Sequence, residues 1–169
     1  MSSVTSLIND LKAEEIPWSR LLSAYGTAED FPKYIKYLEN AETALEAVHS
    51  LGSDIEHQST MFPCTPFALI FLVRARKKYS HEDTDTAKAI CDELDEMFGF
   101  FGKVIEEYGS ISYDEAHEDI MDMLKEEYLI PEDMSDDVFD DDEMLEQLMS
   151  DRQFYSCYYY SGLVLKEII

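Results

Sequence analysis

The chain has 169 residues, enough for one domain that buries roughly 70% of the surface its unfolded form exposes. Apolar residues make up 46% and aromatics 12%, a composition that excludes a disordered chain in spite of the charge. Against 37 acidic side chains stand 13 basic ones, and the net charge of −24 excludes a protein that neutralises the phosphates of nucleic acid.

Helical spacing begins at once, with Val4, Leu7, Ile8 and Leu11 on one face. A second short helix is expected to carry Trp18, Leu21, Leu22 and Tyr25, opening beside Pro17 and stopping at Gly26, a residue suited to the left-handed position after a helix. Thr27 followed by Asp30 is a start signal, and Pro32 suits the first turn of a helix carrying Ile35 and Leu38. Asn40 starts the next, whose stripe is Ala41, Leu45, Val48, Leu51 and Ile55; Gly52 weakens the case for continuity. Thr65 and Pro66 then open a helix that is apolar almost all round from Phe67 to Val73 and ends in Arg74, Arg76, Lys77 and Lys78. Such a helix belongs in the middle of the structure, and its basic end is the positive charge that a helix C-terminus favours.

The clearest helix spans Asp85 to Tyr108, with Ala87, Ile90, Cys91, Leu94, Met97, Phe98, Phe101, Val104, Ile105 and Tyr108 on one face and Gly109 at its end. Ser112 with Glu115 forms a capping box for another, which places Ala116, Ile120, Met123 and Leu124 inward and Glu115, Glu118, Asp119, Asp122 and Glu126 outward. An acidic connector follows from Pro131 to Glu143, then Met144, Leu145, Leu148 and Met149 at helical spacing, and a last helix with Phe154, Cys157, Tyr158, Ser161, Leu165 and Ile168 on its stripe. No stretch predicts a strand. The expected fold is all-α: a single domain of about eight helices, packed as stacked antiparallel pairs of the HEAT and armadillo type or as an irregular bundle.

Between Ile16 and Arg74 stand Ile16, Trp18, Leu22, the run Ala24, Tyr25 and Gly26, then Ala28, Pro32 and Leu38, and further on Ile55, His57, Gln58, Thr60, Phe62, Thr65, Ala68 and Phe71. This stretch, about a third of the chain, resembles bacterial HEAT-repeat-like proteins with an AYG element followed by an HQ turn. Some of these are immunity proteins encoded beside polymorphic or contact-dependent growth inhibition toxins. The sequence departs from that pattern at Ser59, where glycine is common, and at Phe67 and Ile70, where smaller residues are common. The resemblance implies a toxin partner and puts the partner-specific surface in the second half, from His81 onward.

Chemistry is sparse. His57 and Gln58 are expected to tie down a loop by bonding orphan backbone groups rather than to catalyse. His49, His81 and His117 lack the i, i+4 spacing of a zinc pair, and the acidic run lacks the sixth-position glycine of a calcium loop, so neither a metal nor a cofactor is expected. Cys64, Cys91 and Cys157 are odd in number and widely spaced, as reduced core thiols are. With no basic and apolar leader at Met1 to Asp10 and no apolar run long enough to span a bilayer, the expectation is a cytoplasmic protein without membrane contact.

Charge carries the functional expectation. Asp114 to Asp151 hold 17 acidic residues and one basic, Lys125. Acids interleaved with aromatics suit a protein interface, because charge steers encounter and rings supply affinity. The candidate surface is Glu118, Asp122, Glu126, Asp136, Asp137, Phe139, Asp140, Asp141, Asp142, Glu143 and Glu146, with Tyr155 and Tyr159 from the last helix. The partner expected is a basic toxin domain, a nuclease and a ribonuclease ahead of a deoxyribonuclease, neutralised without catalysis. The alternative is a HEAT-like scaffold with no toxin, its acidity serving solubility.

Overall fold

Phe67 to Val73 have no polar side to offer water, and each is at most 4% exposed. In the computed structural model, which describes residues 3–134 and 138–168, this run opens helix α4 (Thr65–Ser80). Around α4 stand α1 (Val4–Asp10), α3 (Ala41–Ile55), α5 (Asp85–Tyr108) and α7 (Asp151–Leu165). Helix α2 (Phe31–Tyr37) lies on α3, and the short α6 (Asp142–Leu148) packs against the single turns Glu126–Tyr128 and Val138–Asp140. The fold is all-α. A solenoid repeat touches only its sequence neighbours, whereas α4 touches both α1 and α7, so the packing is that of an irregular bundle.

Side chains set the helix starts where the sequence placed them. Asn40 accepts from the Glu42 N–H at 2.9 Å to cap α3, and Thr84 accepts from the Ala87 N–H at 3.0 Å to cap α5. Gly109, at φ +107°, ends α5 in a conformation that other residues avoid. Helix α3 runs unbroken through Gly52, where the missing side chain makes room for Met97 of α5.

Two short hairpins replace expected helix and loop. Trp18 sits in a three-residue 3-10 turn, Trp18–Arg20, with its indole N–H donating to the Ala13 carbonyl at 2.9 Å. Instead of continuing, the chain forms β1 (Leu22–Ser23) and β2 (Gly26–Thr27), paired antiparallel with Leu22 opposite Thr27. The helix predicted over Trp18 to Tyr25 is therefore absent. Its backbone bonds go outward, the Ala24 N–H to the Asp54 carbonyl at 2.8 Å, and Gly26 serves a hairpin.

The second hairpin joins β3 (Glu56–His57) to β4 (Thr60–Met61). Its two central residues, Gln58 and Ser59, have φ of +50° and +65°, the sign a type I′ turn requires. Left-handed conformations cost about 1–3 kcal/mol at non-glycine residues, so other contacts must hold them. Glu56 accepts from the Ser59 N–H at 2.6 Å, and the Tyr158 hydroxyl of α7 donates to the Ser59 carbonyl at 2.7 Å while accepting from the Met61 N–H at 3.3 Å. The tie is thus made by Glu56 and Tyr158; His57, expected to make it, bonds the Tyr25 hydroxyl instead.

Lys77 and Lys78 stand in the last turn of α4, as expected, while three of the four basic residues reach neighbouring segments. Arg74 donates to the carbonyls of Leu7, Ile8 and Leu11, neutralising the negative end of α1 rather than that of its own helix. Arg76 grips Asp95 with two bonds of 2.8 and 3.0 Å, and Lys78 donates to the Glu39 carbonyl. Cys64, Cys91 and Cys157 are all buried and unbonded to one another. Ile70 is fully buried in the middle of α4, and Ile70→Ala is expected to lower unfolding stability by about 2–5 kcal/mol. Urea denaturation with an unchanged m-value checks this.

Candidate functional site

The acidic segment after Gly109 is built from tight turns. Ser112 and Glu115 do form the expected capping box, but it closes only the 3-10 turn Tyr113–Glu115; Asp119 then caps Ile120–Leu124, and Glu126–Tyr128 follows. The α-helix predicted here fails for two physical reasons. Like charges at i, i+3 and i+4, as in Glu115, Glu118, Asp119, Asp122 and Glu126, destabilise a helix. Ser and Asp side chains that bond nearby backbone also compete with its ladder. The inward residues Ala116, Ile120 and Met123 are nonetheless buried.

Helix α7 supplies the hydrogen bonds that these turns cannot make for themselves. Arg152 donates to the Ala116 carbonyl, Ser156 accepts from the His117 N–H at 2.8 Å, and the Tyr160 hydroxyl donates to the His117 carbonyl. Gln153 donates from Nε2 to the Met123 carbonyl at 3.1 Å, which leaves its Oε1 to accept from His117 Nε2 at 2.8 Å. A carbonyl oxygen only accepts, so the proton of the neutral imidazole sits on Nε2. His117 is 5% exposed and edge-on to the Tyr128 ring.

Glu126 and Ile130 are pinned from far away in the sequence, by Arg20. Arg20 donates from Nε to the Ile130 carbonyl at 2.8 Å and forks onto both oxygens of Glu126, while the Ile130 N–H returns a bond to the Arg20 carbonyl at 2.9 Å. Gln147 of α6 donates to the Glu127 carbonyl at 2.8 Å. Beneath lies a small second core, Leu22, Ile130, Val138 and Leu148, fringed by Met134, Met144, Leu145 and Met149.

The candidate acids divide accordingly. Glu126 is held by Arg20, which keeps its carboxyl below the usual range. Asp122 accepts from the Asp119 N–H and meets Lys125 at 3.3 Å, and Asp141 caps α6 through the Met144 N–H at 3.0 Å. Each of these three therefore has a task within the fold. Exposed to solvent stand Asp140, Asp142, Glu143 and Glu146 on and beside α6, with Phe139 at 44% exposure among them, while Glu118 is exposed on the turns laid along α7. Asp136 and Asp137 lie outside the described residues. Tyr155 and Tyr159 are half-buried: Tyr155 packs on Tyr108 and Phe154, and Tyr159 on Tyr113 and Tyr160.

Sequence reasoning missed Tyr25 and Phe100, which are 69% and 51% exposed and line one groove. Phe100 carried a legible signal, an aromatic two residues from Phe98 and off the buried stripe of α5. Tyr25 was legible only as part of the run Ala24, Tyr25 and Gly26, and the helix expected there hid its exposure on a hairpin. Among the described residues, no group of His, Cys, Asp and Glu converges as metal ligands would, and no helix is long and apolar enough to cross a membrane. No family model, curated protein or solved structure matches the chain.

Two outcomes test this geometry. Arg20→Ala is expected to speed hydrogen exchange at the Ile130 amide while leaving the amides of α4 protected. Burial lowers the pKa of His117, against the opposing pull of Gln153 and Asp122, so the unfolded chain takes up its proton first. Stability present above the ordinary histidine pKa of about 6.5 should be lost as pH falls below it, and His117→Gln should remove that part of the slope in urea denaturation.

Proposed function

We propose that this chain is a cytoplasmic immunity protein that binds a basic toxin domain through the lobe bearing Phe139, Asp140, Asp142, Glu143 and Glu146. The observation that carries the reading is the exposed carboxylates around a half-exposed phenylalanine, on a lobe anchored by Arg20. Fixed charge of one sign raises the rate of encounter with a cationic partner by roughly 10 to 1,000-fold at low salt, and the ring gives the complex an apolar anchor. A nuclease that grips RNA or DNA must itself be basic, which makes it an apt partner. The resemblance of Ile16 to Arg74 to HEAT-repeat-like proteins, some of which are immunity proteins, is in keeping with the same direction.

Binding alone accounts for such an activity. The two most deeply buried thiols, Cys64 and Cys157, are pushed to high pKa by desolvation, which makes them poor nucleophiles and supports a reading without catalysis. Co-expression with a basic nuclease toxin domain encoded beside this chain should give host survival and a complex that survives purification. The quadruple variant Asp140→Asn, Asp142→Asn, Glu143→Gln, Glu146→Gln should associate about tenfold more slowly at low salt and show a weaker salt dependence. Unchanged association would move the contact off this lobe, and killing without a complex would favour the toxin-free scaffold.

A further inference from the structure

Between α3 and α5 runs an open groove of about 560 Å³ lined by Tyr25, Gly52, Met97, Phe100 and Phe101, with Glu56, Glu93 and Glu96 among its walls. Soluble proteins seldom leave two large aromatic side chains this exposed on one concave surface without a use. Tyr25 is also held in place. Its turn is bonded to α3 through the Asp54 carbonyl, its hydroxyl shares a 3.1 Å hydrogen bond with Nδ1 of His57, and the two rings meet edge-on with centroids 5.3 Å apart. His57 in turn sits beside the left-handed Gln58–Ser59 turn secured by Glu56 and Tyr158. A ring fixed before contact loses little freedom on binding, the property of an interface anchor.

The lining also states what charge it accepts. Among the described residues no Lys or Arg lines the groove, while three glutamates do, and Glu93 meets His49 at 2.9 Å. An aromatic face flanked by carboxylates attracts a guanidinium through its quadrupole and through charge, and Arg is the cation that stacks best on such rings. Met97 and the bare backbone at Gly52 give a deformable apolar floor for an aliphatic stem. A second copy of this chain would bring its own acidic surface to an acidic groove, which charge opposes.

We propose that the groove of Tyr25 and Phe100 seats an arginine-bearing segment of a partner protein, as a contact separate from the acidic lobe at residues 139–146. It shares with the proposed function only the need for a cationic protein partner, and it is tested without any toxin. The probe is a short peptide alternating arginine and leucine, titrated by calorimetry at about 0.15 M salt so that long-range attraction to the net charge is screened. A matched peptide with citrulline for arginine keeps the shape and removes the charge.

Wild type should bind the arginine peptide and not the citrulline one. The double variant Tyr25→Ala, Phe100→Ala should weaken binding about tenfold, as loss of a central aromatic anchor does, and Glu96→Gln should weaken it by a smaller factor. The quadruple neutralised lobe should bind within about twofold of wild type, since none of its four carboxylates lines the groove and attraction at longer range is screened at this salt. Both aromatic side chains are exposed, and unchanged thermal unfolding of the double variant shows that its fold is kept. Equal binding by wild type and the double variant, no binding at all, or loss of binding in the lobe variant would each overturn the proposal. So would a dimer of the wild type, seen by light scattering, that the aromatic substitutions dissociate.

Discussion

A helix without a polar face cannot lie on a surface, and the arrangement of this chain follows from that. Phe67 to Val73 need apolar neighbours on every side, and one flanking layer cannot supply them. Helices from both ends of the chain therefore converge on α4, and the ends of those helices need their carbonyls satisfied where they meet it. Arg74 does so for α1, projecting from the stretch where α4 itself turns polar. Three residues of the basic run are thus spent on neighbouring segments, in a chain whose acidic residues already outnumber its basic ones 37 to 13.

The acidic half solves a different problem. Residues 112–130 carry too many like charges for a stable α-helix, yet Ala116, Ile120 and Met123 still need burial. Breaking the segment into turns spreads the carboxylates but leaves backbone groups unpaired next to a core. Helix α7 answers with Arg152, Gln153, Ser156 and Tyr160, one side of a helix whose polar atoms face another segment's backbone. Order in the acidic region is in this way imported from a helix that is not itself acidic.

How much of this was legible in the sequence depends on the range of the forces involved. The helices governed by their own spacing and caps, at Asn40, Asp85 and Gly109, stand where the pattern puts them, and so does the buried middle helix. The 113–128 segment was misread because its buried residues keep helical spacing while its caps compete with helix. The hairpin at Gln58 and Ser59 has no Asn or Gly to announce it and exists because Tyr158, about a hundred residues later, bonds across it. Of the candidate acids, local sequence could not separate those with tasks in the fold from those on display. That division was decided by Arg20, Lys125 and a helix N-terminus.

The position of α7 in the chain also bears on how the molecule comes into being. Helix α7 lies against both α1 and α4 and braces the β3–β4 turn, so the helices that precede it in the chain lack, until it is made, the wall that closes their core. Until residues 151–165 emerge, the apolar side of α4 stays open to other nascent chains and to chaperones. The density of negative charge just ahead of α7 opposes contact between copies of a chain that has not yet closed its core, as like charge does between any two of them.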